Sequence, residues 1–312
     1  MAQQLAVILG AGPVGRSVGD VFRERGVAVR FVTRSGRGPE GFETLACDAA
    51  HQQALEAACQ GASVVVHAVG VPYQSWAAEL PGLQTSVLGA ATATGAVAVF
   101  VENLYSYTAD TMPLTEASPE VPASRKGALR LQLTRQWQEA HAAGTVKAVS
   151  VRASDYFGPG ATRADTSHFG SRFFPGLEAG KAVSFLGDPD AEHSFTYLPD
   201  FARALVDVAL SPDAWGRAWV CPSLAPSTAR KTAERFAAAA GVTAQVGRLP
   251  RAGVKLLGLF SPMIREVVEM LYQFEKPFTV DASAFEKRFG WKAADWDRAI
   301  TETWASHRKS PR

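Results

Sequence analysis

The chain has 312 residues, 47% of them apolar and 20% charged, and its 32 Lys and Arg stand against 30 Asp and Glu. This is the balance of a globular protein with a full core in one or two domains, and it supplies no basic stripe for nucleic acid or for an anionic membrane surface. Cys47, Cys59 and Cys221 are odd in number and lack metal-ligand spacing, which argues against a disulfide framework and against a metal site. The most apolar later stretch, 253–271, is broken by Lys255, Arg265 and Glu266, so no membrane span is expected. The first strand starts too close to Met1 to leave room for a leader, and a cytoplasmic location is the expectation.

Leu5–Leu9 reads as a buried strand that runs into Gly10-Ala11-Gly12-Pro13-Val14-Gly15 and then into a helical pattern from Arg16 to Phe22. Glycines at this spacing between strand and helix are a dinucleotide-binding fingerprint. Gly10 permits the tight turn, Gly12 admits a pyrophosphate to the backbone, and Gly15 lets helix and strand approach, with Pro13 and Val14 at the helix start. A second strand, Val27–Thr33, ends at Arg34, where a carboxylate would pair with a ribose 2′-hydroxyl in an NAD site. With Ser35 and Arg37 beside it, this turn suits a 2′-phosphate, and NADP(H) is expected over NAD(H).

Further strand-like runs, Val64–Val69, Val97–Val101 and Val146–Val151, alternate with helical segments at His51–Cys59, Leu83–Thr94 and Lys126–Ala143. The alternation predicts an α/β fold, a doubly wound parallel (Rossmann) sheet. From about Gly158 the elements shorten and phenylalanines and tryptophans accumulate. Residues 1–157 are therefore expected to hold NADP(H) and 158–312 to form mainly a smaller substrate-binding lobe, with the segment around 193–212 rejoining the first domain. A single helix is expected over Pro262–Phe274, as core or lid.

These blocks resemble the extended short-chain dehydrogenases/reductases, the group of NAD(P)-dependent epimerases and dehydratases, over nearly the whole chain. The resemblance implies that Asp48 faces the adenine amino group and that Ala68, Val69 and Gly70 line the cofactor. It also implies that the segment Arg152-Ala153-Ser154-Asp155-Tyr156 lies beside the nicotinamide, with Ser154 a cofactor contact. The chain departs from the family pattern where acid–base chemistry is expected: Asn103 stands in the Ser/Thr position four residues before Tyr107, and the Tyr-x-x-x-Lys pair is Lys126 and Arg130. Asp155 and His193 replace an Asn and an Arg of the segment that holds nucleotide-sugar phosphates, which disfavours such substrates.

Candidates for the chemistry are Asn103 to polarise a carbonyl, Lys126 or Tyr105 to move a proton, and Asp155 as a pocket carboxylate. Lys126 could equally be a cofactor contact or a solvated helix-start residue, and Asp155 a cap for the turn at Gly158. His168 and His193 have no spacing partner, and Glu102 is expected at a helix N-terminus or in solvent. The reading that follows is an NADPH-dependent reductase of an apolar or aromatic carbonyl or enone. One alternative is an epimerase or dehydratase with internally recycled hydride; another is a non-catalytic NADP(H) sensor. The expected partner is that small molecule, a homodimer being compatible with the sequence.

Overall fold

The computed structural model describes residues 4–164 and 167–309. The chain divides into two compact units, the first comprising 1–106, 126–152 and 201–219, the second 107–125, 153–200 and 220–312.

The first unit is built on strands β1 (Leu5–Leu9), β2 (Ala28–Thr33), β3 (Glu43–Ala46), β4 (Val64–His67), β5 (Val97–Asn103) and β6 (Lys147–Ala153), and on helices α1 (Pro13–Glu24), α2 (Gln52–Ala58), α3 (Trp76–Thr94) and α4 (Arg125–Ala142). With a last strand at Ala218–Val220, the seven-stranded sheet has the order β3-β2-β1-β4-β5-β6-(218–220). β1 pairs in parallel with β2 on one side and with β4 on the other, so the strand order reverses between β1 and β4. In a doubly wound sheet that reversal opens a crevice at the carboxyl ends of the strands. This is the α/β architecture that the alternating pattern predicts. Apolar runs such as Ala6–Leu9 and Val64–Val66 are buried throughout, as parallel strands covered on both faces require. On one face Leu9, Leu55, Val65, Val87 and Ala98 form the core with Trp137 of α4, which stacks on Phe100 at 5.9 Å.

Several elements end a residue or two from where the sequence places them, β5 at Asn103 rather than Val101 and β6 at Ala153 rather than Val151 among them, and three differences have a visible local setting. β4 stops at His67 rather than Val69, where the Ala68 N–H has crossed to the Leu9 carbonyl and its own carbonyl is crowded by Gly10. α3 begins at Trp76, seven residues early, and runs through Pro81, whose carbonyl accepts from the Thr85 hydroxyl at 3.0 Å. The expected helix Pro262–Phe274 is a helix over Pro262–Val267, a 3₁₀ turn over Val268–Met270 and one last turn over Tyr272–Glu275. Its carbonyls leave the helical ladder there: that of Met270 accepts from the Gln273 side chain, and that of Phe274 from the Asp188 N–H.

Glu102 faces neither solvent nor a helix N-terminus. It is buried on β5 and paired with the equally buried Arg152 of β6, whose Nε donates at 3.1 Å. Its remaining lone pairs accept from the Thr134 hydroxyl (3.0 Å) and Trp137 Nε1 (3.0 Å) of α4 and from Ser150 of β6 (3.1 Å). A carboxylate can afford this position only because every bond lost to water is replaced.

The second unit centres on Phe157, ringed by Phe169, Phe195, Phe236 and Trp296, with Phe173, Phe174 and Phe185 in the same cluster. Its strands are short pairs: Tyr156–Phe157 beside Thr196–Tyr197, Val183–Leu186 beside Val246–Leu249, and Glu192–His193 beside Ser227–Thr228. Ring packing rather than a continuous ladder carries this unit.

Removing one partner of the buried pair leaves the other charged and dry. Arg152→Met is expected to destabilise the chain by about 3–5 kcal/mol, read as a lower urea midpoint. Adding Glu102→Leu to the same chain should recover much of that loss, so that the double variant is more stable than Arg152→Met alone.

Candidate active site

At the carboxyl end of β1 the chain turns on Gly10, whose φ of +97° suits glycine, and a Cβ there would meet the Ala68 carbonyl oxygen at 2.7 Å. A Cβ on Gly15 would meet the Gly10 carbonyl oxygen at 2.1 Å. Gly12 is the opposite case: a Cβ would find nothing within 4 Å. It is the N-cap of α1, followed by Pro13 at the first helical position and by the buried Val14, so unpaired N–H groups and the positive end of the helix dipole face that open space. The turn thus has the close packing and the vacant approach that a pyrophosphate needs, and the residues present fit a nicotinamide dinucleotide.

Around this turn, Arg34, Ser35 and Arg37 are exposed at the end of β2, and Arg34 has no ion-pair partner among the described residues. The Asp48 carboxylate accepts from the Ala50 N–H at 3.0 Å, ahead of α2. Ala68 and Val69 are half-buried, and Gly70 is exposed with open space on its Cβ side.

Beyond the ends of β4 and β5 lies a cluster of rings and cations. The Tyr73 and Tyr105 hydroxyls are 2.8 Å apart, and Trp76 packs edge-on against Tyr73 and stacks with Tyr105. Lys126 is buried, its Nζ 5.2 Å from the centre of the Tyr73 ring, and Arg130, one helical turn on, lies over Trp76 at 4.3 Å. The reading of Lys126 as a solvated helix-start residue is therefore wrong. The first turn of α4 is drawn in against the aromatic faces, which attract both cations. Burial lowers the Arg130 pKa, while Glu102, Tyr105 and Tyr73 pull it back toward the charged form. Asn103 Oδ1 accepts from the Tyr105 backbone N–H at 3.2 Å, leaving its amide nitrogen as the donor. His67 closes the cluster: burial, helped by the nearby Arg130 charge, holds the imidazole neutral with a pKa of about 3, and its Nδ1 has no hydrogen-bond partner.

Asp155 and Ser154, just past β6, belong to the second unit. Asp155 does not cap the Gly158 turn. Its carboxylate accepts from His193 Nε2 at 2.9 Å and lies 3.6 Å from His168 Nε2, so the two histidines expected to be solitary converge on one anion. Ser154 Oγ approaches the same His193 nitrogen at 3.4 Å. Serine and carboxylate compete for one imidazole nitrogen, which rules out the two-sided histidine of a nucleophile–base–carboxylate relay. The two imidazoles hold the Asp155 carboxyl below the usual carboxylate range against the opposing effect of burial, and burial lowers the His168 pKa.

The model of the NAD dependent epimerase/dehydratase family matches residues 6–221, more than half of the chain. The chain belongs to that family. Among solved structures it resembles the UDP-N-acetylglucosamine 4-epimerase of Bacillus cereus at 15% identity, with 99% of this chain and 98% of that one covered and a TM-score of 0.77. The UDP-glucose 4-epimerase of Thermotoga maritima, solved with UDP-glucose, gives 15% identity, 98% and 99% coverage and a TM-score of 0.78. A short-chain dehydrogenase/reductase superfamily protein of Agrobacterium tumefaciens with bound NAD gives 17%, 98% of both chains and 0.76. At these identities the likeness is one of fold. No curated protein matches significantly.

Two variants separate the glycine roles. Gly12→Val is expected to keep the fold, by circular dichroism and thermal midpoint, and to lose dinucleotide binding in calorimetry, whereas Gly15→Ala should lower the thermal midpoint itself. His67 gives a pH signature. Its folded pKa lies below the unfolded value near 6.5, so its contribution is complete above that pH and erodes as the pH falls toward 3. By pH 4.5 the loss is about 2–3 kcal/mol, and His67→Leu should flatten the urea-midpoint profile between pH 7 and 4.5. His168, shifted the same way, sustains the remaining slope, while Asp155 acts only at lower pH.

Proposed function

We infer that this family member holds a nicotinamide dinucleotide on the β1–α1 turn and acts on the hydroxyl- or carbonyl-bearing carbon of a small molecule, recycling hydride internally as epimerases and dehydratases do. The observation that carries the reading is the glycine turn at the point where the strand order reverses, open at Gly12 and facing a helix N-terminus. When bound, the dinucleotide supplies the hydride acceptor and donor. The family match and the 4-epimerase neighbours favour the recycled hydride over net NADPH-dependent reduction of an apolar or aromatic carbonyl or enone.

The chain's own residues divide the remaining work. Gly10, Gly12, Pro13, Val14 and Gly15 shape the pyrophosphate seat; Asp48, Ala68, Val69, Gly70 and Ser154 are the remaining cofactor contacts of this reading. Asn103 donates to the substrate oxygen from its amide nitrogen. Arg34, with Ser35 and Arg37, selects NADP(H) through charge-assisted bonds to the 2′-phosphate, a preference that sets this chain apart from neighbours solved with NAD. Where the resemblance has an Asn and an Arg that hold nucleotide-sugar phosphates, this chain has Asp155 and His193, and a carboxylate in place of the amide favours an uncharged substrate over a nucleotide sugar.

Heat denaturation of freshly purified protein, followed by chromatography of the supernatant, is expected to release a stoichiometric dinucleotide, since recycled hydride requires a cofactor that stays bound. An empty protein that consumes NADPH on an aromatic α-diketone would instead establish net reduction. Calorimetric titration of protein first stripped of bound nucleotide should find NADP⁺ bound about ten- to a hundredfold more tightly than NAD⁺, and Arg34→Asp should reverse the order; equal affinities would remove the NADP assignment.

A further inference from the structure

Of the six large apolar side chains exposed among the described residues, four fall within five positions: Leu256, Leu257, Leu259 and Phe260, at 60%, 44%, 73% and 84% exposure. They sit where the helix Arg251–Gly258 turns into the helix Pro262–Val267. The inner side of the first helix is supplied by Val254 and Gly258, both buried, and the most exposed side chains are those of the turn itself. Packing within the chain does not account for them. We propose that this helical hairpin is an interfacial anchor whose turn inserts shallowly into an anionic lipid bilayer. Such an anchor lies on a membrane and does not span it, in keeping with the lack, among the described residues, of any helix long and apolar enough to cross one. It requires nothing of the dinucleotide site and goes beyond the hydride-transfer reading.

The charges are layered as shallow insertion needs. Lys255 and Arg265, one on each arm, are exposed and have no ion-pair partner among the described residues. Lys255 precedes Leu259 by four residues and Arg265 follows Phe260 by five, about 6–8 Å along a helix. With the turn about 5–10 Å below the headgroups, both cations come to the level of the lipid phosphates. The acids of the segment are set back: Glu266 is half-buried, Glu269 accepts from the Arg125 N–H at 2.9 Å, and Glu275 pairs with Arg251 at 2.6 Å. The chain as a whole has no basic stripe, so the apolar turn supplies most of the binding and the two cations select the headgroup.

The backbone of the turn also suits a dry setting, where an unpaired polar group is costly. The Leu259 and Phe260 N–H groups donate to the Leu256 and Leu257 carbonyls at 3.2 and 3.1 Å, and Pro262 has no N–H to satisfy. Ser261 caps the second helix, its hydroxyl accepting from the Ile264 N–H and its carbonyl from that of Arg265. The arms meet closely at Gly258, where a Cβ would come within 3.1 Å of the Arg265 Cα. Side chains this exposed at a turn form a convex tip. Two equal convex tips meeting about a two-fold axis bury little area, which disfavours a second copy of the chain, whereas a fluid bilayer closes around the tip.

Co-sedimentation of the full chain with vesicles tests the anchor, using phosphatidylcholine alone and phosphatidylcholine mixed with phosphatidylglycerol. Binding is expected on the mixed vesicles and should be weaker on phosphatidylcholine alone. It should fall at least about tenfold in Phe260→Asp and about fivefold in each of Lys255→Gln and Arg265→Gln. Thermal midpoint and dinucleotide binding should match the parent in all three variants, because these side chains lie in solvent. A parent that stays in the supernatant, or that binds both vesicles equally, overturns the proposal, as does binding that survives in Phe260→Asp. So does a lipid-free dimer, seen by sedimentation velocity, that Phe260→Asp dissociates, since a second copy is then the occupant. Loss of the anchor with dinucleotide binding intact leaves the hydride-transfer reading standing.

Discussion

The buried pair of Glu102 and Arg152 is the constraint on which the chemistry end of the first unit depends. It joins neighbouring strands β5 and β6 at their carboxyl ends and, through Thr134 and Trp137, fixes the turn of α4 that lies against them. Asn103 follows Glu102 directly, Tyr105 two residues later, and Arg130 precedes Thr134 by one helical turn. A carboxylate on β5 satisfied by four donors from two further elements, α4 and β6, leaves little freedom in the relative placement of those residues. An apolar packing of the same volume could be as stable, since desolvation offsets most of the attraction in such a pair. What the ionic version adds is direction: each bond fixes an angle as well as a contact.

A second constraint acts at the dinucleotide end, and it is steric. Gly10 and Gly15 are required because carbonyl oxygens already occupy the places their side chains would take, while Gly12 is glycine beside empty space. Packing accounts for the first two and not for the third. A glycine that nothing in the chain forces, at a helix N-terminus, points to something outside the chain that must come close. It is this contrast, more than the fingerprint spacing, that ties the turn to a ligand.

The parts legible in sequence are those whose determinants are local. The glycine turn is complete within six residues, and the parallel sheet follows from apolar runs of strand length alternating with helical periodicity. The parts that escaped are pairings at long range. Tyr73 and Tyr105 are 32 positions apart, Asp155 and His193 38, and Glu102 and Arg152 50. A histidine without a spacing partner reads as solitary because one dimension holds no trace of the loop that returns it to Asp155. Lys126 is ambiguous for a related reason: a lysine at a helix start is ordinarily solvated, and the ring of Tyr73 comes beside it only in the fold. One signal was available, since Tyr73 and Trp76 follow β4 directly, and the carboxyl end of a central strand is where a doubly wound sheet puts its functional side chains.

Lys126 and Arg130 are spaced i, i+4, so they project from the same side of α4 and would repel one another on a bare helix. Here each has an aromatic face beside it, which attracts a cation and offsets part of that repulsion. The positive potential of the pair bears on the connections that follow β4 and β5. Such a field, partly shielded from water, stabilises an oxygen that gains negative charge, whether phenolate or alkoxide, and opposes a cationic ligand. The first turn of α4 is in this way a source of positive charge at the ends of β4 and β5, whatever binds there.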